Sequence, residues 1–565
     1  MSGLGAFTFV LHSHLPYVRL AGRWPHGEEW LHEAAVETYI PLLNILYDLR
    51  DEGIRYRLNI GLTPVLAEQL ADPLVLEHLD EYIDARIAAA RADINYFENG
   101  ETHDPHLRYL ASWYDGIFQG IKHSFQKRFQ RDLIGAFKTL QDEGYIEIVA
   151  GAATHAYLPL FRRDSTIHAQ LKTGIRSYER MFGVKPRTLW LPECAYRPAF
   201  YEDGRLRPGF EKFLADLGVR VFFGEAHAIT GGRPVTAGTA NAVGGYSGVR
   251  REYALPLAGE AERTATPFQA YYVANTSAGV QPDAHSGVAI IGRNERTGQQ
   301  VWSADWGYPG DYDYREFHRK SDRGGLQYWR VTGKKVELGE KDTYHPDWAA
   351  YKVDQHAEHY VHLVGDLIRD YARSEGRYGL IASSYDTELF GHWWYEGIGW
   401  LGKVLRFLTI DRNVDLLTAS EYLTAHEPTE TLNIPESSWG AGGAHEVWDN
   451  DDNHWMWQPL HEMEIRMEKL ALAHSAPDGD AWAALNQAAR ECLLAQSSDW
   501  QFQVTSKQAA DYAAERFQTH IDRFDKLASS IENGKPDRAL AEEFYELDKV
   551  FPDIDFRWFA ERAEV

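Results

Sequence analysis

The chain has 565 residues and sets 58 Lys and Arg against 83 Asp and Glu, a formal charge of −25. No basic run offsets that acidity, so nucleic acids and anionic membranes are disfavoured partners, and no apolar run approaches the roughly 20 residues of a bilayer span. The two cysteines, Cys194 and Cys492, are too few for a disulfide framework or a cysteine-rich zinc module.

At roughly 150 residues per domain, this length predicts two to four domains, or one large barrel with insertions. The opening MSGLGAFTFVLHSHLP lacks a basic start and reaches histidine too soon for a signal peptide. A cytoplasmic protein is expected. Residues 6–11 (AFTFVL) read as a buried strand ending in the polar cluster His12-Ser13-His14. Helical periodicity covers 28–50. A second strand at 56–62 stops at Thr63-Pro64. Residues 65–143 are almost wholly helical in pattern, too much for one crossover, and predict an inserted helical domain over 64–145. Strand patterns return at 146–150, 188–191 and 219–223. Residues 231–343 are rich in Gly, Thr and Tyr and read as a long loop excursion, which in a compact protein is usually functional. A helix at 350–373 and a strand at 380–383 follow. From about 430, a Trp-rich loop leads into helices up to the last residue, 565. Buried strands alternating with helices imply a parallel sheet or barrel, with 1–63 and 146–429 as the catalytic part and 430–565 as a helical one. In such barrels the chemistry sits at the C-terminal strand ends.

Three constellations lie at those ends. In Trp190-Leu191-Pro192-Glu193 a carboxylate follows a strand among apolar groups, with Arg197 as a possible salt-bridge partner. Residues 384–394 hold Asp386, Glu388, His392, Trp393 and Trp394, where the competing reading is a capped helix start. His12 and His14, with His155 after the third strand, could bind metal, hydrogen-bond a substrate or be ordinary loop residues. His356, His359 and His362 have helical spacing and read as a solvated face. Aromatics are abundant, with 18 Trp and 31 Tyr. Trp439, Trp448, Trp455 and Trp457 crowd a polar loop that is poor core material. Sugar rings, with apolar faces and polar edges, suit such surfaces. Two carboxylates from different strand ends in an aromatic cleft suit glycoside chemistry. No phosphate-binding glycine motif is present.

This pattern resembles glycoside hydrolase family 57, and within it the 1,4-α-glucan branching enzymes. The matching segments are His12 to Tyr17 (HSHLPY), Gly151 to His155 (GAATH), Trp190 to Glu193 (WLPE), Tyr385 to Trp394 (YDTELFGHWW) and the Trp439 to Trp448 stretch, in the family's order. The tail segment SSDWQF at 497–502 also resembles the branching subgroup. The resemblance implies an incomplete (β/α)7 barrel with an inserted helical domain and a C-terminal helical domain. It implies Glu193 as nucleophile and Asp386 as general acid/base. His12, His14, His155 and His392 would contact the sugar, with Trp30, Trp302, Trp393, Trp439 and Trp448 lining the cleft. It implies an α-1,4-glucan substrate, no cofactor and no metal. Family members carry a gating tyrosine on a mobile loop; Tyr246, Tyr253, Tyr271 and Tyr272, in 231–286, compete for that place. The expected activity is transfer of a cleaved α-1,4 chain to a 6-hydroxyl. The alternatives are α-amylase or 4-α-glucanotransferase activity on the same carboxylates, a metal-dependent deacetylase using His12 and His14, and a non-catalytic glucan binder.

Overall fold

The computed structural model describes residues 3–100, 103–231, 251–254, 265–278 and 285–561. Its centre is a curled sheet. The strands are β1 (Gly5–Ser13), β2 (Leu58–Leu62), β3 (Ile146–Gly151), β4 (Thr188–Trp190), β5 (Val221–Gly224), β6 (Ala270–Ala274), β7 (His285–Gly292) and β8 (Gly379–Asp386). β1 is buried along its whole length, as a strand covered on both faces must be. Seven strands run parallel in the order β8-β1-β2-β3-β4-β5-β7, and β6 adds antiparallel to β7. Between β7 and β8 the curl is held by a single parallel bridge, Arg293 to Ala382, with Asn294 N–H donating to Ala382 O at 2.8 Å. The fold is therefore an incomplete α/β barrel.

Register decides what meets at the rim. Asp386 pairs with His12, His12 with Gly61, and Gly151 with Trp190. The polar clusters read from the sequence thus converge on one end of the barrel, the C-terminal end of its strands.

Helices α1 (Glu28–Ala34) and α2 (Ile40–Asp51) run into each other through a wide turn. Between β2 and β3 come α3 (Pro64–Leu70), α4 (Pro73–Asn99), α5 (Pro105–His123) and α6 (Leu133–Asp142). The Asp72 side chain caps α4 by accepting from Leu74 and Val75 N–H, and Pro73 opens the first turn. α7 (Asp164–Phe182) and α8 (Phe210–Asp216) cover the next crossovers.

One expectation needs correcting here. The stretch 231–343 is not all loop: it holds barrel strand β7, which pairs parallel with β5, and helix α9 (Glu295–Trp302). The apolar core of β7, Val288-Ala289-Ile290-Ile291, is only four residues long among glycine-rich neighbours, and composition averaged over the stretch hides it. α10 (Pro346–Glu375), α11 (Gly397–Leu408) and α12 (Ala419–Ala425) complete the barrel side. The chain ends in α13 (Trp457–Ala473), α14 (Gly479–Ala495), α15 (Ser498–Ser506), α16 (Ala510–Glu532) and α17 (Arg538–Leu547). Among the described residues no helix is long and apolar enough to cross a membrane.

Candidate active site

Glu193 and Asp386 line one cavity of about 320 Å3 at the C-terminal rim. Glu193, after β4, and His155, after β3, both hold their backbone in the left-handed region, φ 59 and φ 56. Such angles are costly for residues with a Cβ and persist only where neighbours enforce them. Here Trp439 N–H donates to Glu193 O at 3.0 Å, and Ser498 N–H donates to His155 O at 3.2 Å. Both pins come from beyond residue 430.

The same two residues address the side chains. Trp439 Nε1–H donates to Glu193 Oε2 at 2.6 Å, and Ser498 Oγ donates to Oε1 at 3.1 Å. Ser498 Oγ also bonds His155 Nδ1 at 3.0 Å. Asp386 receives no hydrogen bond from the described residues. Its nearest ionic influences are Arg293 and His14. Burial pushes both carboxyls up, Glu193 to about 7 and Asp386 to about 6, while Trp439 and His14 pull Glu193 back and Arg293 and His14 pull Asp386 back. Two buried carboxyls facing one cavity titrate as a pair. Burial lifts Glu193 the more, even with its Trp439 donor; the second donor, Ser498 Oγ, favours charge on Glu193, whereas Asp386 has no donor to hold a charge.

The three histidines form a stack. The ring of His14 lies 4.0 Å from that of His155, and His12 stacks on Trp190 at 4.5 Å with the two rings nearly parallel. His12 Nε2 and His155 Nε2 share a hydrogen bond of 3.1 Å. Burial pushes the pKa of both well down, and charge on His14 adds to this. Burial also opposes charge on His14, but Asp499 at 3.0 Å, with Glu193 and Glu388 beyond, raises it overall. The stack therefore carries its positive charge on His14. Glu388 accepts from His14 N–H and from the Tyr39 hydroxyl, and burial pushes it up to about 7.

The aromatics divide. Trp439, Trp448 and Trp302 line the cavity. Trp448 is buried and stacked 4.2 Å from Tyr157. Trp393 is 41% exposed, its ring 6.4 Å from Trp302, and extends the aromatic wall outward. His392 bonds Glu37 at 2.5 Å and stands beside Trp393, outside the cavity lining. Trp30 does not line the cavity either; it packs edge-on against Tyr512. Of the tyrosines, Tyr246 lies outside the described residues. Tyr271 and Tyr272 are strand residues of β6: Tyr271 accepts from Thr266 N–H, and Tyr272 donates to Glu427 and stacks on His285. Neither lines the cavity. Tyr253 donates to Glu436 at 2.7 Å.

Sequence reasoning gave no role to several lining residues. Arg293 and Glu225 form an ion pair at 3.0 Å, beside His227 and Phe502. Ser498 and Asp499 stood in a segment singled out only for its resemblance. Among the described residues the one trio that could hold a metal is Glu491, His520 and Asp548, in the C-terminal helices and away from this cavity. His356 is not on a solvated face; it is half-buried and bonds the Tyr314 hydroxyl at 2.8 Å.

A sequence profile of glycosyl hydrolase family 57 matches residues 8–435. The chain belongs to glycosyl hydrolase family 57. A second profile, described as the C-terminal part of 1,4-α-glucan branching enzyme, matches residues 459–559. A curated 1,4-α-glucan branching enzyme of Thermococcus kodakarensis is 41% identical over 560 residues, covering 97% of this chain and 78% of that protein. The crystal structure of that enzyme superposes with a TM-score of 0.88 at 39% identity, over 99% of this chain and 97% of that one. A branching enzyme from Pyrococcus horikoshii gives 0.85 at 38% identity, over 100% and 98%. The α-amylase AmyC of Thermotoga maritima gives 0.81 at 29% identity, over 99% of both chains.

Proposed function

We propose that this family 57 chain is a 1,4-α-glucan branching enzyme that works by double displacement. What carries the reading is the full-length likeness to branching enzymes, including the C-terminal part that supplies Ser498 to Glu193. Glu193, ionised and held by two donors, attacks the anomeric carbon of an α-1,4-linked chain. Asp386 gives its proton to the departing 4-oxygen, and the severed chain stays on Glu193 as an ester. Asp386, now a carboxylate, takes the proton from a 6-hydroxyl of the acceptor as that oxygen displaces Glu193. The result is an α-1,6 branch and a restored pair. On the resemblance, His12, His14 and His155 would hydrogen-bond the sugar at the cut; they stand behind the cavity lining, and His155 is tied to Glu193 through Ser498. Trp302, Trp393, Trp439 and Trp448 offer faces to neighbouring rings. His392 and Trp30 would act, if at all, on units farther along the chain. Two free, buried cysteines support a reducing, cytoplasmic setting, with a glycogen-like glucan as acceptor.

Incubation with amylose tests this reading. Anomeric proton resonances of α-1,6 linkages should grow while reducing ends stay nearly constant. The likeness to AmyC favours one second reading, hydrolysis. It would be marked by rising reducing ends and no α-1,6 signal.

A further inference from the structure

Among the described residues a second concavity, roomier than the catalytic one, lies outside it. A groove of about 630 Å3 lies between the end of α9, the segment 305–313 and the flank of α10. It holds no paired buried carboxylates and has no part in the mechanism above. Two large aromatic rings stand open in its lining: Trp306 is 49% exposed and Tyr312 54%. Large aromatics are usually much more buried, so two together beside a concavity ask for a partner.

The backbone that carries these rings is held in place. The Arg296 guanidinium lies 5.1 Å from the Trp306 ring, and Trp306 N–H donates to Ser303 Oγ at 3.4 Å. Thr332 N–H donates to Tyr312 O at 2.9 Å. Behind them, Tyr308 OH bonds His359 Nδ1 at 2.6 Å. With the backbone held, only the two side chains remain to be ordered when a ligand lands on them.

Charge defines the ligand class. Three acids and three bases line the groove, and each acid has a base close by: Asp305 with Lys334 at 3.6 Å, Asp311 with Lys352 at 3.8 Å and Asp313 with Arg330 at 3.2 Å. A phosphate or carboxylate ligand would call for surplus cations. Mutually cancelled pairs instead offer donors and acceptors together, which suits a neutral, polyhydroxylated ligand with apolar ring faces. Position narrows it further. α9 presents Gln299 and Trp302 to the catalytic cavity and Gln300 to the groove, and Trp306 follows Trp302 by four residues. We propose that this groove is a second α-glucan-binding site, which holds a stretch of the same polymer outside the catalytic cleft by stacking on Trp306 and Tyr312.

This rests on the proposed function for the identity of the polymer. The test compares the full chain with the Trp306→Ala/Tyr312→Ala double variant, with Trp306→Phe as the conservative control. Retardation in native gels containing amylose measures binding, and branching of amylose measures catalysis. The double variant should show an apparent Kd for amylose raised about three- to tenfold, the scale of one or two lost ring stackings. Its KM for amylose should rise while kcat at saturation stays within about twofold, and Trp306→Phe should keep most of the retardation. Unchanged retardation, or a kcat loss with unchanged retardation, overturns the proposal. If melting shows the double variant unfolded, Tyr312→Ala alone, on the exposed segment, gives the same comparison. Should the parent form no α-1,6 links yet show amylose retardation that depends on Trp306, the branching reading falls and the groove stands.

Discussion

A carboxylate that attacks carbon must be ionised while its partner keeps a proton, and the two groups here differ most in their donors. Glu193 has two and Asp386 none. Glu193→Ala and Asp386→Ala should each lower activity by several orders of magnitude. Azide should separate them on a substrate with an activated leaving group. It fills the place of the missing nucleophile in Glu193→Ala and yields the β-glycosyl azide. It attacks the ester formed in Asp386→Ala and yields the α-azide. The reverse pattern would exchange the two roles. The donor from Trp439 also makes a pH prediction. kcat/KM falls as pH drops through the pKa of the ionised nucleophile, and Trp439 Nε1–H holds that pKa down against burial. Trp439→Phe keeps the ring but removes the donor, so the acidic limb should move to higher pH. A hydrogen bond to a charged group is worth about 1.5–3 kcal/mol, and one pH unit is about 1.4 kcal/mol, so the shift should be about one to two units. A limb that stays put, or moves down, would show that the Trp439 bond does not set the titration. At this scale the sequence was informative where chemistry is dense: Glu193, Asp386 and the three histidines all sit at or just beyond the C-terminal ends of buried strands. It was uninformative for Ser498 and Arg293, because a lone Ser or Arg has no pattern of its own and acquires meaning only from what it reaches.

Elements place these residues by close backbone approach. α7 crosses β3 at Gly174, where a Cβ would stand 2.1 Å from Gly151 O and 3.1 Å from Ala153 N. That contact supports the loop from Gly151 to His155, and Ala153 N–H in turn donates to Gln170 O at 2.9 Å. Gly174→Ala should therefore cost about 1–3 kcal/mol from overpacking. It should also lower activity by shifting His155, and an unchanged melting temperature with unchanged kcat would contradict this. Helices and strands of ordinary pattern were legible: five barrel strands lie within two residues of where the sequence puts them, and a sixth, expected at 380–383, runs three residues further to Asp386. β7 was not, because four apolar residues between glycines carry too little periodicity to separate a strand from a loop. Its partner β5 supplies what the local sequence lacks, since the pairing is a property of the sheet. The tyrosines of β6 failed as gate candidates for the related reason that a turn-rich composition masked a strand.

At the scale of the whole molecule, the active site depends on chain segments more than 300 residues apart, and so does the core. One buried cluster joins Ile167, Leu189, Phe222 and Ile290 of the barrel side to Leu460, Cys492, Trp500, Phe517 and Phe556 of the C-terminal helices. It crosses the expected boundary at 429/430 without a break. Further ties span the same seam: Arg19 donates to Leu547 O at 3.0 Å, Arg180 pairs with Asp553 at 3.0 Å, and Arg162 and Arg163 N–H donate to the buried Glu464 at 3.1 and 2.8 Å. Sequence pattern divides a chain by changes in composition, and a shared core leaves no such change to find. A chain of this size would ordinarily unfold in steps. A core continuous across the seam removes the cheap first step, because releasing α13–α17 would expose the barrel's own apolar face and leave buried N–H groups unpaired. Calorimetry of the full chain should therefore show one transition, with calorimetric and van't Hoff enthalpies in agreement where unfolding is reversible. A chain ending at residue 456 should be insoluble or inactive, having lost Ser498 and Asp499 as well as half of that cluster. Two resolved transitions, with the truncated chain still folded, would mean that the C-terminal helices are an independent domain and that the pins on Glu193 and His155 form by docking rather than by folding.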